Sequence, residues 1–173
     1  MTCPVLRTER LTLGPATMKH FEAFAAFVRS EHSRFIGGPS DEREARDDAW
    51  WSVTSHAGQW TLRGYGTFWV SETATGAPVG RVGLYHPSWL PEPELAWVIY
   101  EDVTRRGFAV EAARAARDWA ASQGLGPLWS LIDPQNAASE GVARRLGARP
   151  EGTHAYQSGK VADVWRHPLG EAA

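Results

Sequence analysis

Hydrophobic and polar positions alternate near the amino terminus and then change to the spacing of a helix. Leucines alternate with polar residues between Leu6 and Leu13, which predicts a half-buried strand. In the next segment, apolar residues recur at intervals of three and four, as on one face of a helix, at Phe21, Phe24, Phe27 and Val28.

A second helix is predicted to begin after Pro39. Ser40 is a residue type that caps helix N-termini, and acidic side chains suit the positive end of the helix dipole at Asp41, Glu42 and Glu44. The large apolar side chains that follow are expected to face inward, namely Trp50, Trp51 and Val53.

The middle of the chain has the pattern of β structure. Gly66 to Ser71 and Val79 to Tyr85 flank a segment of turn-forming residues, which predicts a hairpin. After a proline-rich loop, Leu95 to Tyr100 is a nearly unbroken apolar run, which is typical of a central strand buried on both faces.

The period changes again from Gly107 to Gln123, where the pattern predicts the clearest amphipathic helix of the chain. Leu128 to Ile132 supplies the next strand, and a strand, helix and strand of this length predict parallel pairing. Asn136 is expected to cap a short helix, and the remainder through Trp165 is expected to form a strand pair. The fold class is therefore a mixed α/β domain.

Composition limits the possible functions. A length of 173 residues predicts a single domain spanning residues 1–173. The net charge of −2 argues against a large basic surface for nucleic acid. The sequence has no apolar run long enough to span a membrane, and Met1 to Arg10 lacks the apolar core of a signal peptide, so we expect a cytoplasmic protein. Its one cysteine, Cys3, excludes an intrachain disulfide, and we expect no metal site.

The junction before the long helix is a candidate anion site. Free backbone N–H groups and the positive helix end meet there, and Arg105 and Arg106 add charge, so a phosphate or pyrophosphate is a suitable ligand. The alternative is an ordinary strand-to-helix turn in which Gly107 only provides the required backbone angles.

Four segments occur together in a characteristic order: LRTERLTLGPA (Leu6 to Ala16), GAPVGRVGL (Gly76 to Leu84), ELAWVIYEDVTRRGFAVEA (Glu94 to Ala112) and IDPQNAASEGVARRLGA (Ile132 to Ala148). Together they resemble the GCN5-related N-acetyltransferase (GNAT) superfamily, most closely its RimJ/RimL-like branch, from about Leu6 to Trp165. The resemblance implies the GNAT fold, a central twisted mixed sheet whose parallel strands splay apart between flanking helices, with acetyl-CoA in the wedge.

The resemblance also implies a set of cofactor contacts. Backbone groups of three strand residues would bind the acetyl carbonyl and the pantetheine arm, namely Trp97, Val98 and Ile99. The loop would cradle the pyrophosphate with Arg105, Arg106, Gly107, Phe108 and Ala109. Asn136 and Ser139 match residues that contact the cofactor, although both also suit a plain helix cap and first turn.

Two positions depart from the family pattern. The phosphate loop of the family commonly reads Q/R-x-x-G-x-G/A, but here Asp102 occupies the first position and Arg105 a glycine position. The tyrosine that protonates the leaving thiolate in many members is replaced by Ala143, so Ser139 or a water is the expected substitute.

An ordinary amine is mostly protonated at neutral pH, so a base must remove a proton before the amine attacks the thioester. Glu94 is the first candidate base and His86 the second. The acceptor site is expected to be bordered by His154 and Tyr156 and shaped by Trp51, Trp60 or Trp89. Direct transfer in a ternary complex is favoured, because Cys3 has no histidine nearby in sequence to activate it.

The expected function is acetyl-CoA-dependent N-acetyl transfer to a primary amine of a small metabolite, an antibiotic or a protein N-terminus, by a monomer or homodimer. One alternative is a non-catalytic acyl-CoA-binding or sensor module. A nucleic-acid-binding domain is a second alternative, suggested by Arg144, Arg145 and Arg149, but acidic and basic residues balance from Glu101 onward.

Overall fold

A computed structural model describes residues 3–168, so residues 1–2 and 169–173 of the expected domain lie outside the described residues. One eight-stranded sheet has the order β1-β2-β3-β4-β5-β6-β8-β7. The strands are β1 (Leu6–Arg7), β2 (Leu11–Gly14), β3 (Thr67–Glu72), β4 (Pro78–Tyr85), β5 (Glu94–Ile99), β6 (Trp129–Ile132), β7 (Arg149–Ala155) and β8 (Val161–Arg166).

Four α-helices flank this sheet: α1 (Met18–Val28), α2 (Glu42–Arg63), α3 (Phe108–Ser122) and α4 (Ala137–Arg145). Two short 3-10 helices, Glu31–Ile36 and Glu101–Val103, precede α2 and α3. No helix in residues 3–168 has both the length and the apolar character needed to cross a membrane.

The pairing of β5 with β6 is the structural centre of the molecule. These two strands are parallel, whereas every other neighbouring pair is antiparallel. Their register contains one pair, Glu94 with Trp129, while β5 pairs with β4 along its whole length. The strands therefore separate after their first residues, which confirms the predicted central strand, parallel pairing and splay.

The sheet buries a different helix pair on each face. Alanines of α3 are fully buried against β-strand residues such as Leu11, Val82 and Leu95. The opposite face packs the aromatic row of α1 against Trp69, Val98 and Tyr100. Small alanine side chains let α3 approach the sheet closely at β4 and β5.

Several sequence expectations about local structure were wrong in detail. A turn at residues 8–10 divides the Leu6 to Leu13 strand into β1 and β2. Asp41 caps α2 in place of Ser40, since its carboxylate accepts a hydrogen bond from the Glu44 N–H at 2.9 Å.

The inward face of α2 also differs from the expectation. Trp50 is 53% exposed and Trp51 is 71% exposed. The buried residues of this helix are Ala45, Ala49, His56 and Trp60. The expected burial of β5 on both faces is confirmed, because Leu95 packs into the core beside α3 and Val98 into the core beside α1. Ala96, Trp97 and Ile99 are half-buried.

Candidate active site

The gap between β5 and β6 is held open by side chains. Where a regular parallel pair would continue, the backbone N–H of Leu131 donates to the carboxylate of Glu94 at 3.2 Å. The Ser130 hydroxyl donates to the Leu95 carbonyl at 2.5 Å and lies 2.8 Å from His167 Nε2. Beyond these contacts the β6-facing edge of β5 has no strand partner, so backbone groups there are available to a ligand.

One side of the gap opens into a long groove of about 1280 Å³ that runs along β5 to the first turn of α3 and the start of α4. Every residue expected to contact the cofactor lines this long groove: Trp97, Val98, Ile99, Arg105, Arg106, Gly107, Phe108, Ala109, Asn136 and Ser139. The structure thus brings together residues that are more than forty positions apart in the sequence.

The loop before α3 has an unusual backbone. Gly107 caps the helix with a φ of +82°, and Arg105 has a φ of +62°. Arg105 is the one non-glycine residue with a positive φ in residues 3–168. The chain therefore keeps, at the position where the family pattern has glycine, the left-handed conformation that glycine adopts most easily. The N–H groups of the first turn of α3 have no partner within the helix, and groups of this kind are suited to an anion.

A brace from the amino terminus holds this loop in place. Arg10 donates to the Arg106 carbonyl at 2.9 Å and to Glu111 in the first turn of α3 at 2.7 Å. Glu111 also accepts hydrogen bonds from the Thr8 hydroxyl and from the Arg10 N–H. Burial raises the pKa of Glu111, but these hydrogen bonds outweigh it and bring the pKa below its ordinary value. Sequence reasoning missed this brace.

The two loop arginines differ in their freedom to bind phosphate. Arg106 forms an ion pair with Glu72 and packs over the Phe108 ring at 4.4 Å. Arg105 makes no side-chain hydrogen bond within the described part of the chain, so its guanidinium is available to a ligand in the long groove.

The other side of the gap is a small cavity of about 460 Å³ beneath α2, with Arg81, Tyr85, Glu94 and Tyr156 in its wall. The small cavity and the long groove share the residues Phe35, Ile36, Trp97, Val98, Asn136 and Ser139. The two spaces therefore meet at the point where β5 and β6 separate.

Glu94 has the electrostatic properties of a base that works near neutral pH. Burial raises the pKa of its carboxyl group from 4.5 to about 7, and the Leu131 N–H and the positive charge of Arg81 limit this rise. A base is most effective when its pKa lies near the working pH, because it is then both ionised and able to hold a proton.

Ser139 lies at the junction of the two spaces and has its hydroxyl oriented by a neighbour. The Asn136 side chain accepts from the Ser139 N–H at 3.1 Å, which is the predicted helix cap. The indole N–H of Trp97 donates to the Ser139 oxygen at 3.2 Å. Since the oxygen is occupied as an acceptor, the hydroxyl proton is left to be donated. Ala143 is fully buried in α4 and offers no such group.

His86 is engaged elsewhere. Its Nδ1 lies 2.6 Å from the Tyr65 hydroxyl and its Nε2 lies 3.1 Å from the Leu90 carbonyl, and it lines neither the small cavity nor the long groove. Both ring nitrogens therefore serve to fix the loop before β5.

The remaining candidates lie in several different places. Tyr156 and Trp51 line the small cavity, whereas His154 packs against Tyr156 and Trp129 behind it. Trp60 is buried in the core, and Trp89 packs on the edge of Tyr156. Burial raises the pKa of the Cys3 thiol to about 12, so the reactive thiolate is not populated.

Comparison with known proteins agrees with this geometry. The family model for the acetyltransferase (GNAT) domain matches residues 10–149. The chain belongs to the GNAT acetyltransferase family. This GNAT chain is 36% identical to an acetyltransferase from Agrobacterium tumefaciens str. C58, with 97% of this chain and 96% of that chain covered and a TM-score of 0.86.

Two further GNAT comparisons are informative. YkkB of Bacillus subtilis (strain 168) is 31% identical over 119 residues, which are 65% of this chain and 65% of YkkB, so the match spans slightly less than two thirds of that relative. A RimL ribosomal L7/L12 alpha-N-protein acetyltransferase, solved in complex with coenzyme A, is 18% identical with a TM-score of 0.75, covering 98% of this chain and 100% of that chain. At this identity the RimL likeness shows the shared fold.

Proposed function

We propose that this GNAT protein is an acetyl-CoA-dependent N-acetyltransferase that binds acetyl-CoA in the long groove and a primary amine in the small cavity. The observation that carries the proposal is the meeting of these two spaces at the β5–β6 gap, where Glu94 lines the small cavity and Ser139 lines both spaces. Coenzyme A bound to the RimL relative supports the choice of cofactor.

The fit of the long groove to acetyl-CoA rests on this chain's own groups. The free edge of β5 offers backbone donors and acceptors at Trp97, Val98 and Ile99 to an amide-containing arm. The first turn of α3 and the Arg105 guanidinium suit a pyrophosphate.

The residues divide the proton transfers between them. Acetyl-CoA supplies an activated acyl carbonyl. Glu94 removes a proton from the ammonium form of the substrate and passes it to solvent, and the freed nitrogen bonds to the acyl carbon as the carbon–sulfur bond breaks. The second proton that the nitrogen then loses leaves to solvent by the same carboxylate. Ser139 donates its proton toward the departing thiolate and is reprotonated from solvent. The exchange releases one net proton, since an ammonium and a thioester become an amide and a thiol.

Direct transfer between the two substrates is part of this proposal. Neither space is lined by Cys3, and its thiol is held protonated by burial, so an acetyl-enzyme through Cys3 has no support. His86 has no role in the proposed chemistry because its two ring nitrogens are already hydrogen-bonded.

The proposal is tested by titration calorimetry with acetyl-CoA and by thiol release in the presence of amines, including amino acids, polyamines, short peptides and aminoglycosides. We expect saturable binding and thiol release that depends on an added amine. Binding without any amine-dependent release would instead support a non-catalytic acyl-CoA-binding module. The absence of binding would contradict both functions.

A further inference from the structure

Arg81 is a cation without a carboxylate partner in the wall of the small cavity. It lies in β4 opposite Val98, and its guanidinium packs over the Phe24 ring at 5.2 Å. Its Nε is buried without a hydrogen-bond partner, and none of the ion pairs formed within residues 3–168 includes it. A guanidinium left in this state is expensive, because charged donors removed from water need acceptors.

The strand register places Arg81 and Glu94 on the same face of the β4–β5 pair, with one residue pair of that face between them. Arg81 pairs with Val98, Gly83 with Ala96, and Tyr85 with Glu94, and alternate residues of a strand share a face. The middle pair, Gly83 and Ala96, has no large side chain that could separate the guanidinium from the carboxylate. Both charged groups line the small cavity.

Other groups around Arg81 do not neutralise it. Burial raises the pKa of Tyr100 and of Tyr85, so both phenols stay protonated at neutral pH. Burial and the charge of Arg81 hold the pKa of His56 well below its ordinary value, so this neighbour is a neutral imidazole. Its Nδ1 is also buried without a partner. The inner end of the small cavity is thus positive and polar, and its hydrogen-bonding capacity is unused.

We propose that the acceptor amine of this enzyme also carries a carboxylate, which binds Arg81 while the amine faces Glu94. The inference rests on the proposed function and specifies its substrate class as an amino acid. A guanidinium presents parallel N–H donors that match the two oxygens of a carboxylate. Polyamines and aminoglycosides bring further positive charge toward Arg81 and are therefore poor acceptors.

The test compares each amino acid with its amide, in which a neutral group replaces the carboxylate and the amine is more readily deprotonated. Acetyl-CoA-dependent thiol release is measured with glycine, β-alanine and 4-aminobutanoate, and with the amide of each acid at the same pH. We expect kcat/KM for at least one acid to exceed that of its amide by roughly tenfold or more, because the amide cannot pair with the guanidinium. The chain length of the best acid then reports the spacing between Arg81 and Glu94.

Two variants separate substrate binding from a structural role. Arg81→Met should remove the preference for the acid over its amide. Because the charge of Arg81 also lowers the pKa of Glu94, acid and amide are compared within each variant, where that effect acts on both alike. Arg81→Lys should keep part of the preference that Arg81→Met loses, because lysine carries the positive charge but lacks the planar pair of N–H donors of the guanidinium. Thermal unfolding of each variant shows whether it is folded, and the wild-type comparison of acid and amide needs no variant at all.

The outcomes distinguish this inference from the proposed function. Equal turnover of acids and amides, better turnover of peptides or polyamines than of any amino acid, or an equal loss for acid and amide in Arg81→Met would overturn the inference and leave the transferase standing. No thiol release with any amine would overturn both.

Discussion

The carboxylate of Glu94 accepts a hydrogen bond from the backbone N–H of Leu131 at 3.2 Å, across the gap where β5 and β6 separate. This contact replaces a backbone hydrogen bond of the parallel pair and fixes the direction of the carboxylate. One oxygen is tied to β6, and the group as a whole lines the small cavity. A single side chain thus both takes the place of strand pairing and presents a carboxylate to the small cavity.

The activity should depend on the ionisation of Glu94. With its pKa near 7, kcat/KM should rise with pH up to about that value and then level off. Glu94→Gln keeps an acceptor oxygen for Leu131 but cannot take a proton, so turnover should fall by about a hundredfold or more. Acetyl-CoA affinity measured by calorimetry should be comparable to wild type. A variant with the wild-type pH profile would remove Glu94 from the chemistry.

The same substitution should increase stability at high pH. The pKa of Glu94 is higher in the folded protein than its ordinary value of 4.5, so the folded state binds this proton more tightly than the unfolded chain does. The resulting stabilisation is complete below pH 4.5 and is lost as the pH rises through about 7.

The free energy of unfolding of Glu94→Gln should therefore increase relative to that of wild type between these pH values, and the difference should persist above pH 7. Thermal unfolding of both proteins from pH 4 to pH 8.5 measures the difference. A constant difference across this range would contradict the raised pKa.

Arg105 tests whether the cofactor loop needs its left-handed backbone. Arg105→Gly should change the free energy of unfolding little, because relief of strain offsets the greater freedom of glycine in the unfolded chain. Arg105→Val removes the same charge but is β-branched, so it should be less stable than Arg105→Gly by about 1 kcal/mol or more. Urea denaturation compares the pair. Equal stability of the two variants would show that the positive φ of Arg105 is not retained in solution.

Glu111 tests the brace that holds the loop. Glu111→Ala leaves Arg10 and Thr8 without their acceptor, so we expect a loss of about 1 to 3 kcal/mol in the free energy of unfolding and weaker acetyl-CoA binding. Glu140→Ala is the matched control, because it removes an exposed pair with Arg144 and should lose under about 0.5 kcal/mol. Comparable effects of both substitutions on acetyl-CoA affinity would contradict a positioning role for Glu111.

The parts of the fold that follow from local periodicity could be predicted from the sequence. The alanine stripe of α3 and the strand-forming apolar residues of β3 and β4 on either side of a turn are strong signals, because each pattern matches one type of element. In α2 the tryptophans misled the prediction. The buried face there is carried mainly by Ala45 and Ala49, whose small side chains give little contrast with the polar residues around them.

The site was predictable where it follows the family pattern and not where it depends on tertiary contacts. The groove residues were found from motifs that occur in order along the chain. The bond between Arg10 and Glu111 joins residues more than a hundred positions apart, and no local pattern reports it. From the sequence alone, Arg81 is indistinguishable from a solvent-facing polar residue of a strand. Its lack of a carboxylate partner is visible only in the structure, where α1 packs over it and its side chain lines the small cavity.

The sheet consists of a five-stranded part and a three-stranded part that are joined through one backbone pair, Glu94 with Trp129. A cosubstrate bound along the free edge of β5 would contact both parts of the sheet and hold them together. Because a ligand that binds only the folded state stabilises it by mass action, the resistance of this protein to proteolysis should increase with the supply of acetyl-CoA around it. The enzyme would then persist longest when its own acetyl donor is abundant.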